Sequence, residues 1–448
     1  MRNPWPWNLW AKGRIAIPVV HWGREHYIPI KPLELLERIL DRENEKNEKN
    51  KKATEAEAEE SGGTEQEKAE VTSPYPVPID QSLFRSVGRK IVSDIHQQYR
   101  SHHERLVRLY GAFDPDRDLP LANRLGPPIE SEVESAIKKS EYRQLFVWIA
   151  DSLHHANYRR LKPSEIQEAL NAASHWGVRL RIRFSSFRKL EVYARGDIVT
   201  KRLKRNWYPP FQYREVDVPI YQRLVVVFRT KEMQNLPELL DPDCVHVRMF
   251  KNIPKADVDM MLPGSQVRLT WFDTGKIGIP TMWGLVMLAS KLAKSFWLLA
   301  LLGAVKVLSS FMVVIAIVGA SLFYGIKSVF SYSTAKRRYQ LNVAQNLYYQ
   351  NLDNNLGALL RLIDEAEQQE ACESILAYYV VLMHGGGRAM ASSEIDAIAE
   401  SILQETLGIA VDFDVADAIR DLAIAGILQF EDEGWRCLSL VEALNKSV

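Results

Sequence analysis

A run of 20 residues without a charged side chain, Val307–Ile326, places the strongest constraint on how this 448-residue chain can fold. At a rise of about 1.5 Å per residue, a helix of this length covers about 30 Å, the thickness of the hydrocarbon core of a bilayer. A helix at the surface of a soluble core would show a polar stripe, but the only polar residues here are Ser309, Ser310, Ser321 and Tyr324. The run therefore predicts a transmembrane helix rather than a buried soluble helix.

Charged and small residues define the ends and one face of this predicted helix. Lys306 and Lys327 flank it, and they act as stops because a lysine at the bilayer centre costs about 3 kcal/mol. Small residues four positions apart allow a second helix to approach closely. The candidates for this helix packing are Ala316, Ala320, Ser321 and Gly325.

A second apolar segment, Gly278–Gly303, is long enough to cross a membrane but carries Lys291 and Lys294 near its middle. If it crosses, residues 278–327 form a two-helix transmembrane hairpin; if it does not, it lies at the membrane interface with its lysines among the headgroups. Basic residues on one shared side favour the hairpin. The sequence thus predicts an integral protein of an unidentified membrane, with both soluble parts on the cytoplasmic, positive side.

Opposite charges are concentrated in different parts of a chain whose formal net charge is +1. Gly177–Lys255 contains 17 Lys and Arg against 8 Asp and Glu, whereas Asp353–Val448 contains 5 against 18. The net charge of +1 excludes a globally basic nucleic-acid-binding protein. The three cysteines lack the spacing of a disulfide framework or a thiolate zinc site, which fits a reducing compartment.

Composition and periodicity divide the chain into seven segments. They predict an N-terminal segment with a short helix at 1–40, a disordered charged and proline-rich linker at 41–80, a helical domain at 81–176 and a basic β-rich domain at 177–275. After the transmembrane hairpin come long amphipathic helices at 333–385 and an acidic, winged-helix-like module at 386–448. The predicted fold class is an α+β membrane protein.

Basic residues interleaved with aromatic ones form the clearest candidate binding surface, a belt of ten cations between Arg179 and Arg205. Beside a membrane, each close Lys or Arg contributes about 1 kcal/mol to binding anionic lipid. The candidate lipid-facing residues are Arg179, Arg181, Arg183, Arg202, Lys204 and Arg205. A solvated strand face and a nucleic-acid surface remain the alternatives, because strand alternation alone also places arginines outside.

The C-terminal module has the wrong charge for reading DNA. Its helix at the recognition position, within DFDVADAIRDL, carries four aspartates and one arginine, and phosphates would be repelled. The sequence therefore predicts a protein partner for this acidic module and no nucleic acid.

Candidate metal and catalytic motifs are incomplete. Asp114, Asp116 and Asp118 begin like a calcium loop, but Leu119 and Leu125 replace its glycine and glutamate. The paired histidines, His102–His103 and His154–His155, lack a zinc-binding spacing. We predict no catalytic residue, metal or cofactor from these patterns.

Ordered motifs along most of Arg24 to Leu444 resemble those of one known family. They are REHYIPI, YGAFDPDRD, KLEVYARG, VPIYQRLVVVFR, FKNIPKADVDMMLPG and YYQNLDNNLGALLRLIDEAEQQEACESILAYY. The chain resembles the uncharacterised membrane-protein family of transmembrane protein 143, and looks like a bacterial or cyanobacterial member. The resemblance implies two hydrophobic helices and no reaction, ligand or catalytic residue.

These observations predict a membrane-anchored adaptor or scaffold rather than an enzyme. The basic β-rich region would bind anionic lipid, while the acidic C-terminal module would bind a protein. The alternatives are an enzyme that acts on a lipid or membrane-delivered substrate and a subunit of an oligomeric transporter. The sequence does not determine the oligomeric state.

Overall fold

The structure is a computed structural model that places ten stretches of the chain and single positions between 290 and 341. The described stretches are 19–60, 79–116, 132–166, 179–181, 184–205, 213–231, 242–262, 266–268, 348–431 and 433–446. The chain divides into two units. The first contains Met1–Leu161, Phe187–Pro254 and Leu352–Val448, and the second contains Lys162–Ser186 and Lys255–Asn351.

One long helix forms the centre of the first unit. This helix, α4 (Asn355–Gly385), has every residue from Gln369 to Val381 buried. It is buried because three other helices, a sheet and the C-terminal module all contact it. The preceding helices are α1 (Pro32–Glu60), α2 (Gln81–Tyr110) and α3 (Glu132–His155). Asp80 caps α2 by accepting from the backbone of Ser82 and Leu83, which satisfies two otherwise unpaired amides.

A six-stranded sheet packs against α4. Its strands are β1 (Val19–Trp22), β2 (Arg159–Arg160), β4 (Phe187–Arg205), β5 (Tyr213–Thr230), β6 (His246–Pro254) and β8 (Asn351–Asn354). The order is β1-β4-β5-β6-β8, with β2 also paired to β4. Val225 and Val227 of β5 and Val247 and Met249 of β6 share one apolar core with α4, so the sheet is covered by helix on that face.

The C-terminal module follows α4 directly and packs on it. It contains the helices α5 (Ser392–Leu407), α6 (Val415–Ile424) and α7 (Leu440–Asn445) and an antiparallel hairpin of β9 (Leu428–Glu431) and β10 (Gly434–Cys437). Ser439 and Glu442 form a capping box at the start of α7.

The second unit is described in fewer residues. Strand β3 (Arg179–Arg181) pairs antiparallel with β7 (Gln266–Arg268). Two 3₁₀ helices, Phe184–Ser186 and Lys255–Met261, belong to the same unit, and Val258, Met261 and Leu262 are buried. The overall fold is thus mixed helix and sheet.

The membrane part of the predicted fold class is wrong. Within the part of the chain that the structure describes, every helix is too short or too polar to cross a membrane, which overturns both the transmembrane hairpin and the integral-membrane location. Most of residues 278–327, including Ala316, Ala320, Ser321 and Gly325, lie outside the described residues. The prediction relied on the uncharged length of the run, its lack of a polar stripe and its flanking lysines, and these patterns do not distinguish a lipid-exposed helix from one packed against protein.

Helix α1 extends through the first part of the segment for which composition predicts a disordered linker. Residues 41–60 are helical, and side chains in the first of these turns contact the C-terminal half of the chain. Arg42 donates to Glu405 at 2.6 Å, and Glu43 accepts from the Tyr379 hydroxyl. Tertiary contacts of this kind stabilise residues 41–60 as helix although their own sequence is almost wholly polar. Residues 61–78 lie outside the described part.

Candidate functional site

Strands β4 and β5 continue beyond the sheet as a two-stranded ribbon. Among the residues that the structure describes, β1 pairs with β4 as far as Thr200, and β6 pairs with β5 from Ile220. Beyond these points Lys201–Arg205 pairs with Tyr213–Asp217 alone, among the residues described. We call these ten residues the ribbon tip; at about 3.4 Å per residue it is about 17 Å long.

Strand alternation separates the charges of the ribbon tip between its two faces. One face contains Arg202 opposite Val216 and Lys204 opposite Arg214. The acidic residues Glu215 and Asp217 occupy the other face, where the side chain of Lys201 lies 3.4 Å from Glu215. We call Arg202, Lys204 and Arg214 the basic face, because this side of the ribbon tip has three cations and no acidic residue.

Two cations lie directly opposite each other on the basic face. The register places Lys204 across from Arg214, and like charges in this arrangement destabilise a strand pair. A two-stranded ribbon is itself only marginally stable in water. An anion bound at this register position would offset the two like charges.

The same two strands contain a second pair of opposed cations nearer the sheet, and here the anion is built in. Arg195 lies opposite Arg223, and Glu365 of α4 bridges them: its Oε2 is 2.8 Å from Arg195 and its Oε1 is 3.4 Å from Arg223. We call these three residues the base cluster. Its geometry shows that one carboxylate can bridge two arginines on neighbouring strands.

Burial and hydrogen bonding hold the base cluster in place. Arg195 is 6% exposed, donates to the Ala156 carbonyl oxygen at 2.8 Å, and lies between the rings of Tyr27 and Tyr158, each centroid 4.6 Å away. Burial by itself would raise the pKa of Glu365, but Arg195, the donating Tyr158 hydroxyl and Arg223 together lower it. The carboxylate therefore stays ionised at neutral pH, and both of its oxygens are paired with arginines of the fold.

The predicted lipid-facing residues divide between the two units. Arg202 and Lys204 lie on the basic face, whereas Arg205 lies at the ribbon tip on the other face. Arg179 and Arg181 belong to β3 of the second unit, and Arg183 lies outside the described residues. The sequence prediction missed Arg214, although its alternation with Glu215, Val216 and Asp217 is a signal that could have identified it.

The acidic C-terminal module pairs with the N-terminal segment. Arg24 contacts Glu400 at 2.8 Å and Asp412 at 3.0 Å, while Arg42 and Lys46 contact Glu405. A backbone hydrogen bond from the Asp412 amide to the Glu25 carbonyl, 2.9 Å long, reinforces this contact. Part of the negative charge of the module is therefore neutralised within the chain.

Apolar side chains remain exposed on the same module. Ile424 at the end of α6 is 66% exposed, Phe430 of β9 is 63% exposed and Val441 of α7 is 55% exposed. Glu431 lies next to Phe430 in β9 and is paired with Arg436 at 3.5 Å. Apolar residues bordered by charged ones are typical of protein-binding surfaces.

The residues of the incomplete metal motifs have other roles. Asp116 accepts from the Asn355 amide at 2.7 Å, and Asp114 accepts from the Asp116 backbone at 3.0 Å, while Asp118 lies outside the described residues. His155 lies 3.8 Å from Asp151. Across the residues that the structure describes, no group of three His, Cys, Asp or Glu side chains could hold a metal ion.

Comparison with known proteins gives one match. Residues 221–357, which extend from β5 into the start of α4, are similar to a family described as a protein of unknown function (DUF3754). No curated protein and no solved structure matches the chain. The match covers 137 of the 448 residues and begins after the ribbon tip.

Proposed function

We propose that this protein is an adaptor that binds anionic lipid headgroups through the basic face and a protein through the C-terminal module. The proposal is carried by the contrast between the two pairs of opposed cations in β4 and β5. Glu365 bridges one pair, and the other pair, Lys204 and Arg214, has no acidic residue on its face of the ribbon. A headgroup phosphate is the external equivalent of the Glu365 carboxylate.

The strength expected of such a site suits a reversible contact. Each Lys or Arg close to an anionic membrane surface contributes about 1 kcal/mol, so the three residues of the basic face contribute about 3 kcal/mol in total. That value is too small for stable attachment and large enough to orient a protein held by a second contact. Nucleic acid is the alternative anion, and the C-terminal residues 386–448, with 12 acidic and 4 basic residues, would repel a long polyanion and an anionic membrane alike, so the binding test compares the two ligands directly.

The lipid half of the proposal is tested by vesicle sedimentation with matched charge reversals. The full-length chain is mixed with phosphatidylcholine vesicles that contain one third phosphatidylserine, and with vesicles of phosphatidylcholine alone. The double variant Arg202→Glu/Lys204→Glu should lose about thirtyfold in affinity, since two favourable contacts are lost. The control Lys201→Glu/Arg205→Glu has the same charge change on the opposite face and should lose less than about threefold.

Two results would overturn the lipid assignment. Equal losses in both double variants would mean that net charge, and not the basic face, determines binding. Binding of the parent that is stronger to double-stranded DNA or to soluble inositol phosphate than to the anionic vesicles would assign the basic face to a different phosphate ligand.

The protein half of the proposal rests on the exposed apolar and acidic residues of the C-terminal module. The partner of matching chemistry is a peptide segment in which apolar residues alternate with Lys or Arg. A synthetic amphipathic peptide of leucine and lysine should bind the parent, and Phe430→Ser should weaken binding at least fivefold. Unchanged binding in Phe430→Ser, with loss in a variant of the basic face, would place the contact elsewhere.

The family match supports only the statement that the molecular activity is unknown. The wider resemblance between Arg24 and Leu444, the enzyme that acts on a lipid and the transporter subunit remain predictions from the sequence.

A further inference from the structure

A pair of carboxyl side chains lies buried between the central helix and the C-terminal module. Glu370 of α4 is 5% exposed and Asp421 of α6 is 7% exposed. Helix α6 packs directly on α4, so both buried groups belong to one interface, and each shifts the pKa of the other. Among the residues that the structure describes, the Oδ2 atom of Asp421 has no hydrogen-bond partner, which is unusual for a buried carboxylate. Unlike the base cluster, this interface holds two acids.

The groups around the pair provide little positive charge. Arg420, the basic residue of α6, is 48% exposed and divides its contacts between Asp417 at 2.7 Å and Asp421 at 3.4 Å. On α3, the Nε2 atom of His155 is 3.9 Å from Glu370 and provides charge only when it is protonated. The titratable and charged groups that face the pair are Tyr99 of α2, His155 of α3, Glu373 of α4, and Asp417 and Arg420 of α6.

Two buried carboxylates in contact cannot both be ionised without a large cost, so the pair retains a proton. Burial first, and then the negative charge of Asp421, raise the pKa of Glu370 to about 8. Burial also raises the pKa of Asp421 and the pKa of Glu373, whose carboxylate accepts from Asn157 at 2.8 Å. Negative charge on this interface therefore increases in mildly alkaline solution.

We propose that the Glu370–Asp421 pair is a proton-operated latch that holds α6 against α4 while it retains one proton and releases the C-terminal module when the proton is lost. The geometry favours release of the module because α6 contributes one carboxyl group and α4, surrounded by the core, contributes the other. This inference does not depend on the lipid or protein contacts of the proposed function.

Hydrogen exchange on the full-length chain tests the latch. Amide exchange is measured from about pH 6.5 to 9.5 and corrected for the intrinsic pH dependence of exchange. Opening of α6 should increase about tenfold for each pH unit from about 6.5 up to about 8, where opening releases one proton, and should level off above about 8, where the closed pair has already lost that proton. Amides of β5 and β6 should show no such increase.

Two variants separate the latch from a general effect of pH. Glu370→Gln removes the titrating group and retains hydrogen-bonding atoms, so the opening of α6 should become independent of pH. The control Asp364→Asn has the same charge change at an exposed position of α4 and should retain the parent profile. Asp421→Asn provides a second test and should also flatten the profile.

Three outcomes would overturn the latch. The first is a parent protein whose α6 amides follow only the intrinsic exchange rate. The second is a Glu370→Gln or Asp421→Asn protein that retains the increase between about pH 6.5 and 8. The third is opening of β5 and β6 together with α6, which would indicate global unfolding.

Discussion

Strands β4 and β5 contain two pairs of opposed cations with different environments. Arg195 and Arg223 are bridged by Glu365, which belongs to a helix 170 residues away from Arg195 in sequence. Lys204 and Arg214 have the same register relationship at the ribbon tip and no acidic residue on their face. The position of an arginine on a strand therefore does not determine its role; the presence of a bridging anion does.

The largest expected effect concerns the bridged pair. Arg195→Met should destabilise the protein by about 3–5 kcal/mol, because it leaves the Glu365 carboxylate buried without its main partner. Urea unfolding followed by circular dichroism measures the change. The double variant Arg195→Met/Glu365→Leu should recover part of the loss, since it removes both charges. A single variant within about 0.5 kcal/mol of the parent would show that the base cluster does not stabilise the fold.

The pH dependence of the free energy of unfolding should show that Glu365 is ionised in the folded protein. Its pKa is lowered in the folded protein, so its contribution to stability is present above the unfolded pKa, about 4.3, and is lost as the pH falls through the folded pKa. In Arg195→Met, burial then dominates and the pKa of Glu365 should rise. The free energy of unfolding measured between about pH 6 and 3 should therefore fall less steeply in the variant than in the parent.

At the ribbon tip, one substitution should change stability and binding in opposite directions. Lys204→Glu places a carboxylate opposite Arg214, which should stabilise the strand pair by about 0.2–1 kcal/mol. The same change removes a cation of the basic face and should weaken binding to anionic vesicles at least fivefold. Thermal unfolding and vesicle sedimentation measure the two effects. Loss of stability would show that the opposed cations do not repel each other in the folded protein.

The β-rich character of the region that contains β4 and β5 could be predicted from the sequence. Composition and periodicity predicted a β-rich region at 177–275, and β4 and β5 lie within it. The sequence did not predict that β5 would run as one strand through Pro219, nor that residues 201–205 would pair beyond the sheet. Pairing depends on register, which is determined by tertiary contacts as well as by local pattern.

The bridging contacts were outside the reach of sequence reasoning. In the sequence, Arg195 is one more cation of the basic belt, and Glu365 is one more acid of an acidic helix. Only the fold brings them within 2.8 Å. The apolar run at 307–326 led to a wrong prediction for the opposite reason. Its sequence pattern was clear, but an apolar pattern does not specify what surrounds the segment.

The smallest expected effect is on the opposite side of the ribbon tip. Lys201 is 46% exposed and pairs with Glu215 across the strands at 3.4 Å. Exposed pairs of this kind contribute about 0.2–1 kcal/mol, so Lys201→Met should destabilise the protein by no more than that. Because Lys201 lies on the face that also contains both acids, its loss should change vesicle affinity less than twofold. A larger loss of affinity would show that the bound anion contacts both faces, and the distinction between them would then fail.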